Sequence, residues 1–308
     1  MTMKIAIIGT GRVGSTLAYC IVLKQLCDHL VIAGRNQEKA LGDALDLQHT
    51  QSFCTRPMLI ESRVSAEVEN CDIIVIAAST PMSSKFNDRM ELGEQNVALF
   101  RQLIPVLSAN NPEALFLILS NPVELLTYAT GKLSGFAPHR VMGVGTLVDS
   151  ARFRTMLSKK LNIHPDDLRT YVLGEHGPHQ FPVLGNAQAG GEPIGDTPSH
   201  RQLFNQVIEA GFEVYRLKGY TNHAIATAAS VVLESIVADN NRTIPLAVRF
   251  DEWMGITDNC INIPVVVGRS GVVRSLHPVL TTQERQDLLV ASEFIKNAIM
   301  SLMPDLVG

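Results

Sequence analysis

Asp149, Arg152 and His176 are residue types that can carry out acid-base chemistry together. Asp149 and Arg152 lie three residues apart in a segment that predicts a helix, so their side chains project from one face. His176 lies in the sequence Gly174-Glu175-His176-Gly177. A histidine donates a proton to a carbonyl oxygen well when a carboxylate fixes its tautomer and stabilises its charged form. Because a guanidinium can bind a carboxylate through two parallel hydrogen bonds, the three residues together indicate hydride transfer to a 2-oxo acid.

Each of these residues also has a structural interpretation. An Asp-Arg pair at this spacing is commonly a solvated ion pair, and a single histidine is commonly structural, so only the combination indicates a site. His176 and His179 could suggest a metal centre. Pro178 lies between them and no third ligand lies nearby in the sequence, so no metal site is predicted.

Composition excludes several classes of function. The 308 residues are 46% hydrophobic and carry a formal net charge of -4, with no basic block that could bind nucleic acid. No apolar stretch reaches membrane-spanning length, and the first residues do not resemble a signal peptide. The five cysteines show no C-x-x-C spacing, which fits a reducing compartment. We therefore expect a soluble, cytoplasmic protein with no nucleic-acid or membrane partner.

The elements that must position these side chains form two groups. The first half alternates short apolar strands with helical patterns, which is typical of parallel βαβ units. The expected strands are 4–8, 30–33, 59–61, 72–77, 115–119 and 140–142, and the expected helices are 13–26, 37–48, 89–108 and 123–133. The sequence therefore predicts an α/β fold in which a Rossmann-type parallel sheet domain, residues 1–143, precedes an α+β catalytic domain, residues 144–308.

The second half shows longer helical patterns. We expect helices at 147–161, at 200–238 with a break at Gly219, and at 282–300, with strands at 170–173 and 263–267.

In the first half, Asn121-Pro122 directly follows the fifth strand. Ligands of such sheets bind at the carboxyl ends of the strands, so Asn121 is placed where cofactor and substrate would meet. An Asn-Pro turn without chemistry is the alternative.

A glycine-rich loop follows the first strand and opens a helix. Its sequence is Gly9-Thr10-Gly11-Arg12-Val13-Gly14, and in this context G-x-G-x-x-G predicts dinucleotide binding. The glycines allow a tight turn and a close approach to a pyrophosphate, which then lies at the positive end of the helix.

The end of the second strand predicts which dinucleotide is preferred. An acidic residue here would bind the ribose hydroxyls and repel a 2′-phosphate, but the chain has Gly34 followed by Arg35. We therefore expect a preference for NADP(H), with Arg35 facing the phosphate and NAD(H) use still possible. Arg35 as an ordinary solvated turn residue is the alternative.

These motifs resemble the L-lactate and L-malate dehydrogenase family, including its L-2-hydroxyisocaproate branch, over nearly the whole chain. The matching segments are residues 9–14, 120–123, 143–152, 174–177 and 218–222. The resemblance implies that His176 is the acid-base residue and Asp149 its partner. It also implies that Arg152 binds the substrate carboxylate, that Asn121 contacts nicotinamide and substrate, and that Thr221 lines the substrate pocket.

The family also has a mobile loop after the fourth strand, with an arginine that closes over the substrate. Arg89 matches that residue by its distance to Asn96-Val97, and residues 79–88 are small and polar enough for a lid. Malate enzymes carry a second arginine in this lid and lactate enzymes a glutamine. This chain offers Met82-Ser83-Ser84-Lys85 instead, so malate is disfavoured unless Lys85 turns inward.

The expected activity is therefore reversible, NAD(P)-dependent hydride transfer to a 2-oxo monocarboxylic acid. Malate dehydrogenase, reduction of an imine or unusual oxo acid, and a catalytically silent NADP(H)-binding sensor remain as alternatives. Pro178, His223 and Glu124 depart from residues usual in the family, which leaves the substrate side chain open. Since family members are usually dimeric or tetrameric, the resemblance also implies a homo-dimer or homo-tetramer.

Overall fold

The computed structural model describes residues 3–80 and 89–307, although the side chains of residues 89–91 lie outside that description. The first half alternates strands and helices as expected. Its strands are β1 (Lys4–Ile8), β2 (His29–Ala33), β3 (Leu59–Arg63), β4 (Ile73–Ile76), β5 (Leu115–Ile118) and β6 (Val141–Gly143). Its helices are α1 (Arg12–Lys24), α2 (Gln37–Thr50), α3 (Arg89–Asn110) and α4 (Val123–Ser134).

These six strands form a parallel sheet in the order β3-β2-β1-β4-β5-β6. Strands β4 and β5 are buried along their whole length, as expected for strands covered by helices on both faces. The strand order reverses between β1 and β4, which opens a crevice at their carboxyl ends. The expected Rossmann-type α/β fold is confirmed.

The second half adds four helices and eight strands in the described part of the chain. The helices are α5 (Thr146–Leu161), α6 (Pro198–Lys218), α7 (His223–Ala238) and α8 (Thr282–Leu302). The strands are β7 (Leu168–Arg169), β8 (Val172–Gly174), β9 (Gln180–Pro182), β10 (Gln188–Ala189), β11 (Glu192–Pro193), β12 (Arg242–Trp253), β13 (Ile256–Gly268) and β14 (Gly271–Ser275). The expected helix break is confirmed, because α6 ends at Lys218 and is capped by Gly219, whose φ of 80° suits glycine.

The large antiparallel hairpin of β12 and β13 was not predicted in full. The sequence pattern indicated only residues 263–267, the last part of β13, and no element over β12. Strand β12 pairs with β6 through Ala247 and Gly143, so the sheet continues, with antiparallel pairing, into β12, β13, β8 and β9. A domain boundary at residues 143 and 144 therefore lies within one continuous sheet and stays a prediction.

Two hydrophobic clusters stabilise this arrangement. The larger one includes the buried strands of the main sheet and the inward faces of the helices around it. A smaller cluster lies between α5, α6 and the strands β7 and β8, and it includes Phe153, Leu157 and Phe204. This second cluster holds α6 over the face of α5. Within the described ranges, no helix is long and apolar enough to cross a membrane.

Candidate active site

The expected acid-base residues meet at one point. Nδ1 of His176 lies 2.6 Å from Oδ2 of Asp149, and Nη1 of Arg152 donates to Oδ1 of Asp149 at 2.8 Å. Asp149 is only 1% exposed, whereas the side chain of His176 is 25% exposed. Helix α5 carries Asp149 and Arg152, and the turn between β8 and β9 carries His176. The carboxylate thus occupies Nδ1 and leaves Nε2 of the imidazole for a ligand.

The charges of this cluster act on one another. Burial raises the pKa of Asp149. The charges and hydrogen bonds of His176 and Arg152 lower it by more than burial raises it, so the pKa lies below its usual range. For His176, burial lowers the pKa, and the charge and hydrogen bond of Asp149, with the charge of Glu124, raise it above 6.5. The site therefore favours a carboxylate beside a protonated imidazole.

Two residues that sequence reasoning missed as functional hold the histidine turn. The carboxylate of Glu124, 2% exposed, accepts from the backbone N–H of His176 at 2.7 Å and from Nδ2 of Asn262 at 2.6 Å. Nδ2 of Asn262 also donates to the carbonyl of Gly174 at 3.0 Å, and its Oδ1 accepts from the N–H of Thr146 at 3.0 Å. Asn262 therefore connects the histidine turn to the first turn of α5.

Glu124 is a titratable part of this network. Burial raises its pKa to about 7, while the charge of His176 opposes that rise. A charged residue at the otherwise apolar start of the predicted helix 123–133 is the sequence signal that could have identified Glu124. Asn262 gave no signal, because nothing local distinguishes it from other polar residues of a strand.

Asn121 lies at the end of β5, as expected, and it precedes a cis peptide bond to Pro122. Its carbonyl accepts from Nδ2 of the fully buried Asn96 at 2.7 Å. Oδ1 of Asn96 accepts from the N–H of Thr80 at 2.8 Å. Asn96 thus ties the carboxyl end of β4 to that of β5, and it is a further positioning residue that sequence reasoning did not identify as functional.

A cavity of about 470 Å³ joins these groups. It is lined by Asn121, Asp149, Arg152, His176 and Thr221, together with Gly177, Gln180, Ile208, Gly211, Phe212, Tyr215 and Tyr220. The structure thus brings five predicted site residues to one cavity, and it adds a wall from α6 that was not predicted. Gly211 leaves room for Arg152, because a Cβ there would lie 3.3 Å from Nη1 of the guanidinium.

Gln180 is a further polar residue of this cavity that sequence reasoning missed. It is 7% exposed, and its Oε1 has no hydrogen-bond partner among the described residues.

The residues predicted to form the lid lie outside the described part of the chain. Arg89 begins α3, but its side chain is outside the described residues, as are Met82, Ser83, Ser84 and Lys85. Their roles stay predictions.

The glycine-rich loop has the shape that a pyrophosphate requires. Gly9 has a φ of 114°, and a Cβ on Gly14 would lie 1.9 Å from the carbonyl of Gly9. No atom lies within 4 Å of a Cβ position on Gly11, and α1 begins there without a side-chain cap. Open space beside uncapped N–H groups fits a bound dinucleotide, with Arg12 and Val13 in the first turn.

The end of β2 leaves little room for a side chain at position 34 unless the side chain of Thr10 shifts. A Cβ on Gly34 would lie 2.7 Å from Oγ1 of the buried Thr10. Arg35 and Lys39 are exposed nearby, and Nζ of Lys39 donates to the carbonyl of Thr10. Sequence reasoning identified Arg35 here but missed Lys39.

The two histidines that could suggest a metal centre make other contacts. His179 pairs with Glu175 at 3.1 Å, and the described residues contain no group of three metal-ligating side chains.

Comparison with family models matches both halves of the chain. Residues 3–143 match the NAD binding domain of lactate/malate dehydrogenase, and residues 146–303 match its alpha/beta C-terminal domain. The chain belongs to the lactate/malate dehydrogenase family.

Similar proteins within this family span nearly the whole chain. An L-lactate dehydrogenase of Synechococcus sp. (strain JA-3-3Ab) is 34% identical, over 97% of this chain and 99% of its own length. An L-lactate dehydrogenase A chain of Lycodichthys dearborni is 33% identical, over 94% and 90%. The crystal structure of MGS-M5, a lactate dehydrogenase enzyme from a Medee basin deep-sea metagenome library, has a TM-score of 0.93 and 26% identity, over 98% and 99%.

Proposed function

We propose that this chain is an NAD(P)-dependent L-2-hydroxy acid dehydrogenase that interconverts a 2-oxo monocarboxylic acid and its 2-hydroxy acid. The convergence of His176, Asp149 and Arg152 at one cavity carries the proposal. The lactate dehydrogenases that resemble this chain support the same class of reaction.

Each residue has one role in the proposed mechanism. Arg152 binds the substrate carboxylate, since Asp149 engages Nη1 of the guanidinium and leaves its other donors available. Protonated His176 donates from Nε2 to the carbonyl oxygen, and neutral His176 accepts the hydroxyl proton in the reverse direction. The nicotinamide, when bound, supplies or accepts the hydride. Asn121 and Thr221 position the substrate, and Arg89, from the resemblance, polarises its carbonyl.

The family's NAD binding domain supports NAD(H) as a cofactor, and we propose that NADP(H) is preferred. Gly34 provides no carboxylate to repel a 2′-phosphate, and Thr10 occupies the space where such a side chain would begin. Arg35 and Lys39 supply cations at the same strand end. A 2′-phosphate would therefore meet the cation of Arg35 and that of Lys39, whose Nζ also pairs with Asp43 at 2.8 Å.

Replacement of Gly34 tests this preference. Gly34→Asp is expected to reduce the ratio of kcat/KM for NADPH to that for NADH by about tenfold or more, because it adds a carboxylate beside the phosphate. Gly34→Ala is the matched control, since it adds the same Cβ against Thr10 without charge. An equal ratio in both variants would reject the assignment.

The reaction itself is tested with a panel of 2-oxo acids. NADPH oxidation, with NADH in parallel, is measured for pyruvate, branched 2-oxo acids, phenylpyruvate and oxaloacetate. Monocarboxylic acids are expected to react faster than oxaloacetate, because Arg152 is the one arginine or lysine among the described residues that line the cavity, and the charge of His176 is paired with Asp149. Preference for oxaloacetate would instead favour malate dehydrogenase.

His176→Ala separates catalysis from binding. This variant is expected to lose turnover while NADPH still binds, as measured by cofactor fluorescence. If the wild type binds the dinucleotide but reduces none of these acids, the catalytically silent sensor is favoured.

We also propose that the chain forms a homo-dimer or homo-tetramer in the cytoplasm. Helices α1 and α2 expose the large apolar side chains of Tyr19, Leu23, Leu41 and Leu45, which supports an interface between subunits. Light scattering of the purified protein measures the mass, and a monomeric mass would reject this part of the proposal.

A further inference from the structure

The ring of Tyr220 lies between the glycine-rich loop and the active-site cavity. The guanidinium carbon of Arg12 lies 3.7 Å from the centroid of the ring, and Nζ of Lys218 lies 4.5 Å from the same centroid. Tyr220 also lines the cavity that contains His176. One aromatic side chain therefore contacts the first turn of α1 and the wall of the proposed substrate site.

Further contacts fix the segment that carries Tyr220. Nζ of Lys218 donates to Oδ1 of Asn222 at 2.6 Å, and Nδ2 of Asn222 donates to Oγ1 of Thr16 at 2.8 Å. The hydroxyl of Thr16 donates to the carbonyl of Arg12 at 2.6 Å. The connection between α6 and α7 therefore contacts α1 at two places, through Tyr220 at Arg12 and through Asn222 at Thr16. These contacts fix the connection next to the glycine-rich loop.

A stacked guanidinium keeps its hydrogen-bonding capacity. The face of the group interacts with the ring, while its N–H donors lie in the guanidinium plane and stay available at the edge. Arg12 follows Gly11 directly, where the loop leaves open space. A long exposed side chain without such a contact loses conformational entropy when it binds an anion. A ring that already restricts the side chain before binding reduces this entropy cost.

We propose that Tyr220 is a positioning residue for the cofactor, whose ring holds the Arg12 guanidinium at the mouth of the loop for the dinucleotide pyrophosphate. The inference rests on the proposed function only as far as dinucleotide binding. The next residue, Thr221, lines the same cavity as Tyr220.

The test is a double-mutant cycle read by binding and not by turnover. Dissociation constants of NADPH and NADH are measured by cofactor fluorescence, without substrate, for the wild type, Arg12→Met, Tyr220→Leu, Tyr220→Phe and the Arg12→Met/Tyr220→Leu double variant. We expect about tenfold weaker binding for Arg12→Met, from lost charge-assisted hydrogen bonds. We expect about threefold weaker binding for Tyr220→Leu, from the lost stacking. Tyr220→Phe should bind like the wild type, because it keeps the ring.

The decisive prediction is non-additivity. If Tyr220 acts through Arg12, the double variant binds no more weakly than Arg12→Met alone. Additive effects, or unchanged binding in Tyr220→Leu, would overturn the proposal. Phe136→Leu is the matched control, because it removes a comparable stack at 3.8 Å beneath Arg140, outside the proposed cofactor site, and should leave both dissociation constants unchanged.

Two further outcomes separate this inference from the proposed reaction. A wild type that binds neither dinucleotide would overturn both. A wild type that binds dinucleotide but reduces no 2-oxo acid would overturn only the proposed reaction, and a non-additive cycle in that protein would still support the role of Tyr220.

Discussion

The carboxylate of Asp149 keeps His176 protonated to a higher pH than an isolated histidine. Burial lowers the pKa of the imidazole, but the charge of Asp149 and the 2.6 Å hydrogen bond raise it above 6.5. Reduction of a 2-oxo acid needs the protonated form. In that direction, kcat/KM is therefore expected to be constant at low pH and to fall as the pH rises through this raised pKa.

Asp149→Asn is expected to move this fall to lower pH, because the variant loses the charge that raises the pKa of His176. It should also reduce kcat/KM by about a hundredfold or more, since the tautomer is no longer fixed by a carboxylate. Profiles of NAD(P)H oxidation against pH measure both effects. Asp251→Asn, at a largely exposed aspartate, is the control. A midpoint that does not move would contradict the proton-donor role of His176.

Glu124 contributes charge and hydrogen bonds, and two substitutions distinguish them. Glu124→Gln keeps an acceptor for the His176 backbone but removes the charge that helps to raise the pKa of His176. We expect a smaller shift of the pH midpoint, again to lower pH, with the low-pH rate retained within about threefold. Glu124→Leu also loses the hydrogen bonds and should lower that rate by more than tenfold. Equal rates in the two variants would show that the hydrogen bonds do not matter.

The three segments of the site are joined through the side chain of Asn262. Strand β13 presents Asn262 to the histidine turn, to Glu124 on α4 and to the N–H of Thr146 at the start of α5. Gly145 is adapted to this contact, because a Cβ there would lie 2.6 Å from Oδ1 of Asn262. The distance between His176 and Asp149 thus depends on a strand that contributes no catalytic group.

Asn262→Ala is expected to lower the free energy of unfolding by about 2–4 kcal/mol, because it leaves several buried polar groups without partners. Urea unfolding measures this change. Asn110→Ala is the matched control, since the half-buried Asn110 makes one solvent-exposed side-chain hydrogen bond to Ala66, and it should cost about 1 kcal/mol or less. Similar losses in both variants would argue against the connecting role of Asn262.

One sheet runs through both halves of the molecule. Strand β6 pairs with β12, and β12 forms a long hairpin with β13, so the halves share buried surface as well as hydrogen bonds. The cavity beside His176 combines Asn121 of the first half with residues of the second half. This continuity predicts that the halves unfold together, even though the chain divides between two family models.

A single tryptophan makes this prediction measurable. Trp253 is buried at the end of β12, so its fluorescence reports on the second half, whereas far-UV circular dichroism reports on both. Urea midpoints from the two signals are expected to coincide. Separate midpoints would show that the halves unfold independently and would support a domain boundary near residue 143.

Local patterns in the sequence carried much of the information on fold and site. The alternation of strands and helices predicted the parallel sheet, and the glycine-rich sequence directly after β1 predicted a dinucleotide loop. The helical spacing of Asp149 and Arg152 placed both on one face of α5. Such features can be read from sequence because neighbouring residues along the chain determine them.

The tertiary structure alone revealed the contacts between distant segments. Glu124 and Asn262 are 138 residues apart and meet only because of the register of the central sheet. The stack of Arg12 on Tyr220 likewise depends on how the connection after α6 lies against α1. Strand β12 was missed since pairing with β6 and β13 stabilises it more than any local pattern indicates. Strand pairing and side-chain packing join residues that are far apart in the sequence, and the local pattern of a short segment does not indicate which distant segment it will contact.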